Sequence, residues 1–346
     1  MSHRFADLGN DLHTGRRSFP IVRRRRTWYA ASLILFVVLG AIAFVRGPNF
    51  GIEFTGGSEF QVAGVSDTAQ APARDAVRSV VPDNEPKITT IGPTTLRVQT
   101  AQLDSDQTAR LAQSLASAYR VNADQVSSSY IGPVWGADIT SKMLRAVVVF
   151  LLLVAAVMAL YFRNLTASIA AMLALIHDMI VTVLVYLVIG FEITPATVIG
   201  FLTILGYSLY DTIVVFDKVR ENTENLTGQK NRTFAELVEL AANQTLVRSI
   251  NTSAVALLPV GSILAIGALL LGAGTLKDIS LALFIGIIAG TYSSIFLAPG
   301  FLVDLRSRER EIRAHSREVE RARPERSVDP AAAADATTAT APSSAS

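Results

Sequence analysis

The chain of 346 residues contains no cysteine. A disulfide framework, a thiolate metal site, a lipid-modified cysteine and a cysteine nucleophile are therefore excluded. Charge is scarce as well: Asp, Glu, Lys and Arg make up 17% of the residues, where a soluble protein carries about a quarter. A Gly-x-x-x-x-Gly-Lys-Ser/Thr run is missing, so no segment reads as a site for ATP hydrolysis, and no cofactor or metal is expected. What the chain has instead is apolar length. Half of it is hydrophobic, mean hydropathy is +0.39, and the apolar residues are stacked in runs of about 18 or more, enough to cross a bilayer as helices. This pattern excludes a soluble two-domain enzyme, a nucleic-acid-binding module and a disordered chain.

The first run, residues 28–45, follows Arg23-Arg24-Arg25-Arg26. It could be a signal peptide, with Ala41-Ile42-Ala43 as a small-residue cleavage site, but its length and the Trp28-Tyr29 pair favour a retained span. Five further spans are expected at about 143–161, 165–189, 196–216, 249–271 and 279–303. With residues 1–27 a cytoplasmic basic terminus, the loops at Arg163 and 218–247 fall inside, as does the tail 304–346. These segments hold Arg163, Lys218, Arg220, Lys230, Arg232, Arg306, Arg308, Arg310 and Arg313, whereas the short external loops hold only Lys277. The positive-inside rule is satisfied by six spans with both ends in the cytoplasm. Beyond Arg306 a charged helix-like stretch to about Arg326 is expected against anionic headgroups, followed by a disordered tail.

Only eight of the 31 basic residues lie in 46–142, the long segment between the first two spans, which reads as a small external α+β domain. Phe50–Ala63 is expected to be extended with Gly56-Gly57 as a bulge or turn. A helix over Thr68–Val81, strands at Lys87–Ile91 and Thr94–Thr100, a helix over Asp104–Tyr119 and a strand at Gln125–Ile131 follow. The order β-α-β-β-α-β is that of a ferredoxin-like split βαβ sandwich. Gly56-Gly57 and Gly132-Pro133 stand where a hinge to the membrane would lie. The fold expected is thus an α-helical polytopic membrane protein, six transmembrane helices with a ferredoxin-like domain between the first two.

Ionisable residues inside spans are costly, so they face the bundle or a water-filled path. The third span holds His177 and Asp178; the fourth holds Thr203, Tyr207, Tyr210 and Asp211 at helical spacing, read as one stripe. Arg248 opens the fifth, with Asn251 and Thr252 on its face. Gly286, Gly290 and Ser294 recur every four residues in the sixth, the spacing of close helix packing. Arg248 could snorkel to the interface, and His177 could simply bond a neighbouring helix. Asp178 and Asp211 lie too deep to snorkel; Asp178 is as consistent with a structural hydrogen bond as with ion handling, whereas Asp211 points to an ion path.

Several of these segments resemble one family. The run Leu202–Asn222, with Gly206-Tyr207-Ser208-Leu209-Tyr210-Asp211-Thr212 at its centre, resembles the fourth-span signature of the SecF proteins of protein export. So do Phe50-Gly51-Ile52-Glu53-Phe54-Thr55-Gly56-Gly57, Arg248-Ser249-Ile250-Asn251-Thr252-Ser253 and Gly290-Thr291-Tyr292-Ser293-Ser294. The likeness covers about 23–305, with both tails outside it. It implies a half-transporter of the resistance-nodulation-division superfamily that pairs with SecD and associates with the SecYEG channel. The pair uses an ion gradient, protons or sodium, to help draw a translocating unfolded polypeptide outward. By the same resemblance, Asp211 and Arg248 are the ion-coupling residues. The family usually has Asn before that aspartate; here it is Tyr210, bulkier and without the amide's paired donor and acceptor, which leaves the coupling ion open. Two other readings stand: an exporter half for lipids or small molecules, and a non-conducting structural partner of SecD in which Asp211 and Arg248 form an internal ion pair.

Overall fold

The computed structural model describes residues 10–12, 14–229, 231–270 and 274–328. The N-terminal nine residues, Lys230, Leu271 at the end of the expected fifth span, the start of the turn after it, and the tail from 329 lie outside the described residues.

Six helices are long and apolar enough to cross a membrane. They are α1 (Arg25–Arg46), α5 (Pro133–Phe162), α6 (Leu165–Ile189), α7 (Pro195–Thr223), α8 (Phe234–Ile263, continued by π-helical turns over Leu264–Leu270) and α9 (Gly274–Tyr292). The last passes through π-helical turns at Ser293–Leu297 into α10 (Ala298–Arg306). Local chemistry sets the breaks. Arg163 ends α5 in the left-handed region, and the Asn164 side chain caps α6 by accepting from the Ala167 amide. Gly190 closes α6 at φ 83°, and Thr194 with Thr197 forms a capping box ahead of Pro195 at the first position of α7.

Between α1 and α5 lies the strand-bearing unit: α2 (Ile52–Thr55), β1 (Gly57–Ala63), α3 (Ala71–Val80), β2 (Lys87–Ile91), β3 (Thr95–Thr100), α4 (Ser105–Tyr119) and β4 (Val126–Ile131). All pairings are antiparallel, in the order β2-β3-β1-β4, a split βαβ arrangement. Phe60, Val62, Leu96 and Val98 on one sheet face meet Val77, Leu111 and Leu115 of the helices, all fully buried.

Several expectations are corrected. Residues 52–55 are helical, so the extended run begins only at Gly57, whose φ of 142° and approach to the Thr100 carbonyl leave no room for a Cβ. The helix expected from 143 begins ten residues earlier, because Gly132 and Pro133 serve as its cap and first position rather than as a loose connection. The loop expected over 218–247 is mostly helix: α7 runs on to Thr223 and α8 starts at Phe234, its first turns buried by Phe234, Leu237, Val238 and Ala241. The charged stretch after Arg306 becomes α11 (Arg310–Val328), which turns Ile312, His315 and Val319 inward and sets His315 Nε2 2.7 Å from the Gln229 carbonyl.

The two ends of the bundle differ in their contacts. At one end Arg25 pairs with Asp304 at 2.7 Å, Tyr161 donates to Asp217 at 2.7 Å, and Phe19 bonds the Asn243 amide. The strand-bearing unit meets the other end, where Phe50 bridges to Ile193 in the loop between α6 and α7. The flanks of α1 and α5 (Leu33, Val37, Phe44, Val148, Leu152, Leu160) stay exposed and apolar, as lipid contact demands.

Candidate functional site

The site lies where α6, α7 and α9 converge. Three rungs bring α7 and α9 together. A Cβ on Gly286 would meet Ile204 at 2.8 and 3.0 Å, and one on Gly290 would meet Ser208 Oγ and Cβ at 2.9 and 3.0 Å. At the third rung the partner is polar: Ser294 donates to Asp211 Oδ2 at 2.5 Å. Glycine at the first two rungs lets the backbones close, and closure delivers the third contact. Pro299 shapes this rung, since it cannot donate to the carbonyl four residues back. The helix widens to π turns over Ser293–Leu297, with Ser293 and Ser294 fully buried.

Asp211 is 6% exposed, and among the described residues its carboxylate is held by two hydroxyls: Ser249 of α8 donates to Oδ1 at 2.7 Å and Ser294 to Oδ2. One turn earlier on α7, Ser208 donates to Oδ2 of Asp178, which is 1% exposed. The other oxygen of Asp178 lies 3.1 Å from His177 Nδ1. The His177 ring is buried against Phe36 and Tyr292, and its Nε2 has no hydrogen-bond partner among the described residues. The structure thus joins Asp178, His177, Asp211, Gly290 and Ser294 in one buried strip. Among the described residues, Asp211 thus has a hydroxyl donor on each carboxylate oxygen and no cation bonded to it.

The expected stripe on α7 divides. Thr203 and Tyr210 face outward, Tyr207 is half-buried, and Asp211 alone turns in beside Ser208. The reason is angular: Asp211 is about 100° from Tyr210 around the helix. Thr203 bonds its own Ile199 carbonyl, and Tyr207 donates to the Thr252 carbonyl at 3.1 Å. Arg248 does not reach Asp211. It is exposed and donates from Nη2 to the Tyr210 hydroxyl at 3.1 Å, while its neighbour Ser249 takes the carboxylate. Asn251 is exposed on the outer side of α8, and Thr252 bonds the Arg248 carbonyl at 2.8 Å. At the joints, Gly136 sits so near the Phe54 carbonyl that a Cβ would lie 2.7 Å from it, so the segments carrying Gly56, Gly57, Gly132 and Pro133 are packed together.

Sequence reasoning missed Ser208 and Ser249 and read Ser294 as packing only. Spacing held a signal for the first, three residues before Asp211 and hence on its side. It also missed Glu192 in the α6–α7 loop. That residue accepts from Gln99 Nε2 at 2.6 Å and Arg97 Nη1 at 3.0 Å, with Lys87 Nζ at 3.4 Å. Nearby Glu53 is raised above the usual carboxylate range, first by burial and then by Glu192 and Glu59.

The fold and site define a multi-pass membrane protein with a split βαβ unit after its first long helix and a buried carboxylate strip at the helix crossing. A sequence profile described as "Protein export membrane protein SecD/SecF, C-terminal" matches residues 111–308, and one described as "SecD/SecF GG Motif" matches 41–63. The chain belongs to the SecD/SecF family. It is 41% identical over 321 residues to the protein translocase subunit SecF of Streptomyces coelicolor, covering 90% of this chain and 83% of that one. With the SecF of Mycobacterium tuberculosis the identity is 44% over 344 residues, covering 94% and 75%. The crystal structure of SecDF, a translocon-associated membrane protein from Thermus thermophilus, superposes with a TM-score of 0.74 at 31% identity. That match covers 84% of this chain but only 39% of the SecDF chain.

Proposed function

We propose that the chain is an auxiliary subunit of the Sec protein-export translocase which, paired with a SecD half, uses the proton gradient to help move secreted polypeptides outward. The observation that carries the reading is Asp211, buried at the helix crossing and held by two serine hydroxyls without a counter-charge. A proton crossing 100 mV releases about 2.3 kcal/mol, enough to bias a two-state domain if protonation favours one state. In this reading Asp211 takes and gives up the proton, Arg248 is its charged partner in another state, and Asp178 with His177 supports the path.

The protein sits in the bacterial cell membrane with six spans, both termini cytoplasmic and the ferredoxin-like domain outside. The basic end of the bundle supports that orientation, and Arg306, Arg308 and Arg310 suit anionic lipid headgroups. Pairing with SecD is supported by two facts. The Thermus thermophilus SecDF chain extends well beyond the 39% of it matched here, and the outward face of α7 and α8 presents the polar side chains of Thr203, Tyr210, Arg248 and Asn251, which suit a protein neighbour better than lipid. SecYEG and the translocating chain complete the assembly.

The non-conducting alternative calls for an Asp211–Arg248 ion pair, and Arg248 bonds Tyr210 instead. The small-molecule or lipid exporter alternative is weakened by relatives named as translocase subunits. The deciding experiment replaces Asp211 by Asn, which keeps the size and one of the two acceptor oxygens but does not titrate. In vesicles carrying the whole translocase, Asp211→Asn should insert at the normal level and lose gradient-driven export. Normal export by that variant removes the relay role; dependence on a sodium rather than a proton gradient reassigns the ion.

A further inference from the structure

The two helices that carry the buried carboxylates, α6 with Asp178 and α7 with Asp211, are joined by the five residues Gly190–Thr194, and each end of this loop is pinned. Asn49 Nδ2 donates to the Gly190 carbonyl at 2.9 Å, the Ile193 amide to the Asn49 carbonyl at 2.8 Å, and the Gly51 amide back to the Ile193 carbonyl at 2.9 Å. Thr194 caps α7 and donates to Asp278 at the start of α9 at 2.9 Å. At the loop's centre is Glu192, its side chain 9% exposed, reaching into the sheet.

The side-chain partners of Glu192 among the described residues come from the sheet: Lys87 of β2, Arg97 and Gln99 of β3. Arg97 is itself 16% exposed and lies 3.4 Å from Glu59 of β1. A carboxylate taken out of water in this way is tolerated only while its cationic and amide partners stay in place. A short turn between two helices has no need of such a residue, because Gly190 and Thr194 already complete the helix ends. The charge therefore serves the contact between the hairpin and the sheet.

We propose that Glu192 is the coupling residue through which the α6–α7 hairpin moves the strand-bearing domain. This rests on the relay reading above: protonation changes at Asp211 or Asp178 shift the hairpin, and Glu192 transmits the shift to β2 and β3. It is a positioning residue and takes no part in holding the ion.

The test uses the full chain with its SecD partner and the channel in vesicles. Because the chain has no cysteine, spin labels at Ser128→Cys on β4 and Ile199→Cys on α7, both exposed, attached before assembly with the partners, report the domain's position with no background from this chain. Glu192→Gln should broaden the label distance distribution and keep proton movement. Gradient-dependent export should fall about tenfold, the loss expected for removing a charge-assisted contact. Glu192→Asp, which restores the charge, should recover a good part of it. Should the Gln variant fold poorly, Lys87→Gln weakens the same contact and should shift both readouts in the same direction by less. An unchanged distance distribution overturns the proposal, as does normal export. So does a loss of proton movement equal to that of Asp211→Asn, which would place Glu192 in the ion site. Failure of the relay reading itself is seen separately, in a normal Asp211→Asn variant, whereas the label distances report the clamp in either case.

Discussion

Replacing Gly290 by alanine tests whether the helix seam at the site is as tight as its geometry states. An ideal Cβ there would lie 2.9 Å from Ser208 Oγ, 3.0 Å from Ser208 Cβ and 3.5 Å from Asp178 Oδ2. Two responses are open. The α7 and α9 backbones can part by about half an ångström, an overpacking cost of about 1–3 kcal/mol. Alternatively Ser208 can rotate away and give up its bond to Asp178, about 1.5–3 kcal/mol for a hydrogen bond to a charged group. Alanine returns about 0.5–1 kcal/mol of helix propensity, so the net loss is about 1–2 kcal/mol. Gly206 on the facing helix α7 supplies the control, because nothing lies within 4 Å of its Cβ position. Gly206→Ala should gain about 0.5–1 kcal/mol. Thermal unfolding of the purified chain in detergent should therefore separate the two variants in opposite directions from wild type, and vesicle export should fall for Gly290→Ala. Equal stability of the two variants would refute the reasoning, since it would mean the seam has slack that the contacts deny.

Glu53 makes stability depend on pH in a defined direction. Its carboxyl is raised in the folded protein above the ordinary 4.5, with burial the largest cause, then Glu192 and Glu59 raising it and Arg97 opposing. Lys87 also faces this group through Glu192. A raised folded pKa means that the native state holds the proton more tightly, so Glu53's contribution is full at acid pH and lost as pH climbs from 4.5 through the folded value. Attachment of the domain, followed by the label distances, should loosen across that window, and Glu53→Gln should flatten the dependence; an unaltered pH profile in the Gln variant counts against it. Separately, the segment 46–142 should express alone and unfold cooperatively, because its core is closed among its own residues; a broad, non-cooperative melt would show that it needs the bundle.

The six long helices and the strand order were legible because each rests on a local signal, apolar length for the helices and alternation with Gly-Pro turns for the strands. What was not legible depended on tertiary contact. The first half of α8 reads as a polar loop, yet Phe234, Leu237, Val238 and Ala241 recur on one face and are buried. A hydrophobicity window sees the intervening Glu236, Glu239 and Asn243 and stops. Residues 52–55 read as strand because Ile and Phe favour it, but Gly56 at φ 76° allows a turn of helix to close first. Glu192 carried no signal at all. A lone glutamate in a short loop is ordinary, and only the return of β2 and β3 to that loop makes it special.

Asp211 and Arg248, which we propose as the coupling pair, were singled out by burial and by resemblance, and their arrangement depends on a register that neither could supply. Tyr210 and Asp211 are adjacent on α7, as Arg248 and Ser249 are on α8, and the helices meet so that Tyr210 faces Arg248 and Asp211 faces Ser249. Each step between neighbours is about 100° around its helix. Cation and carboxylate therefore sit on opposite sides of the contact, the first exposed and the second buried. Bringing Arg248 to Asp211 requires one helix to turn by about one residue's angle, or α7 and α8 to part. A turn of α7 would also separate Ser208 from Asp178 and Asp211 from Ser294, whereas a turn of α8 would remove only Ser249 from the carboxylate. The Ser249-bonded arrangement described here and an arginine-paired one thus exclude each other. In the relay reading proposed above, alternation between these two arrangements around one carboxylate is what a gradient-driven cycle would require.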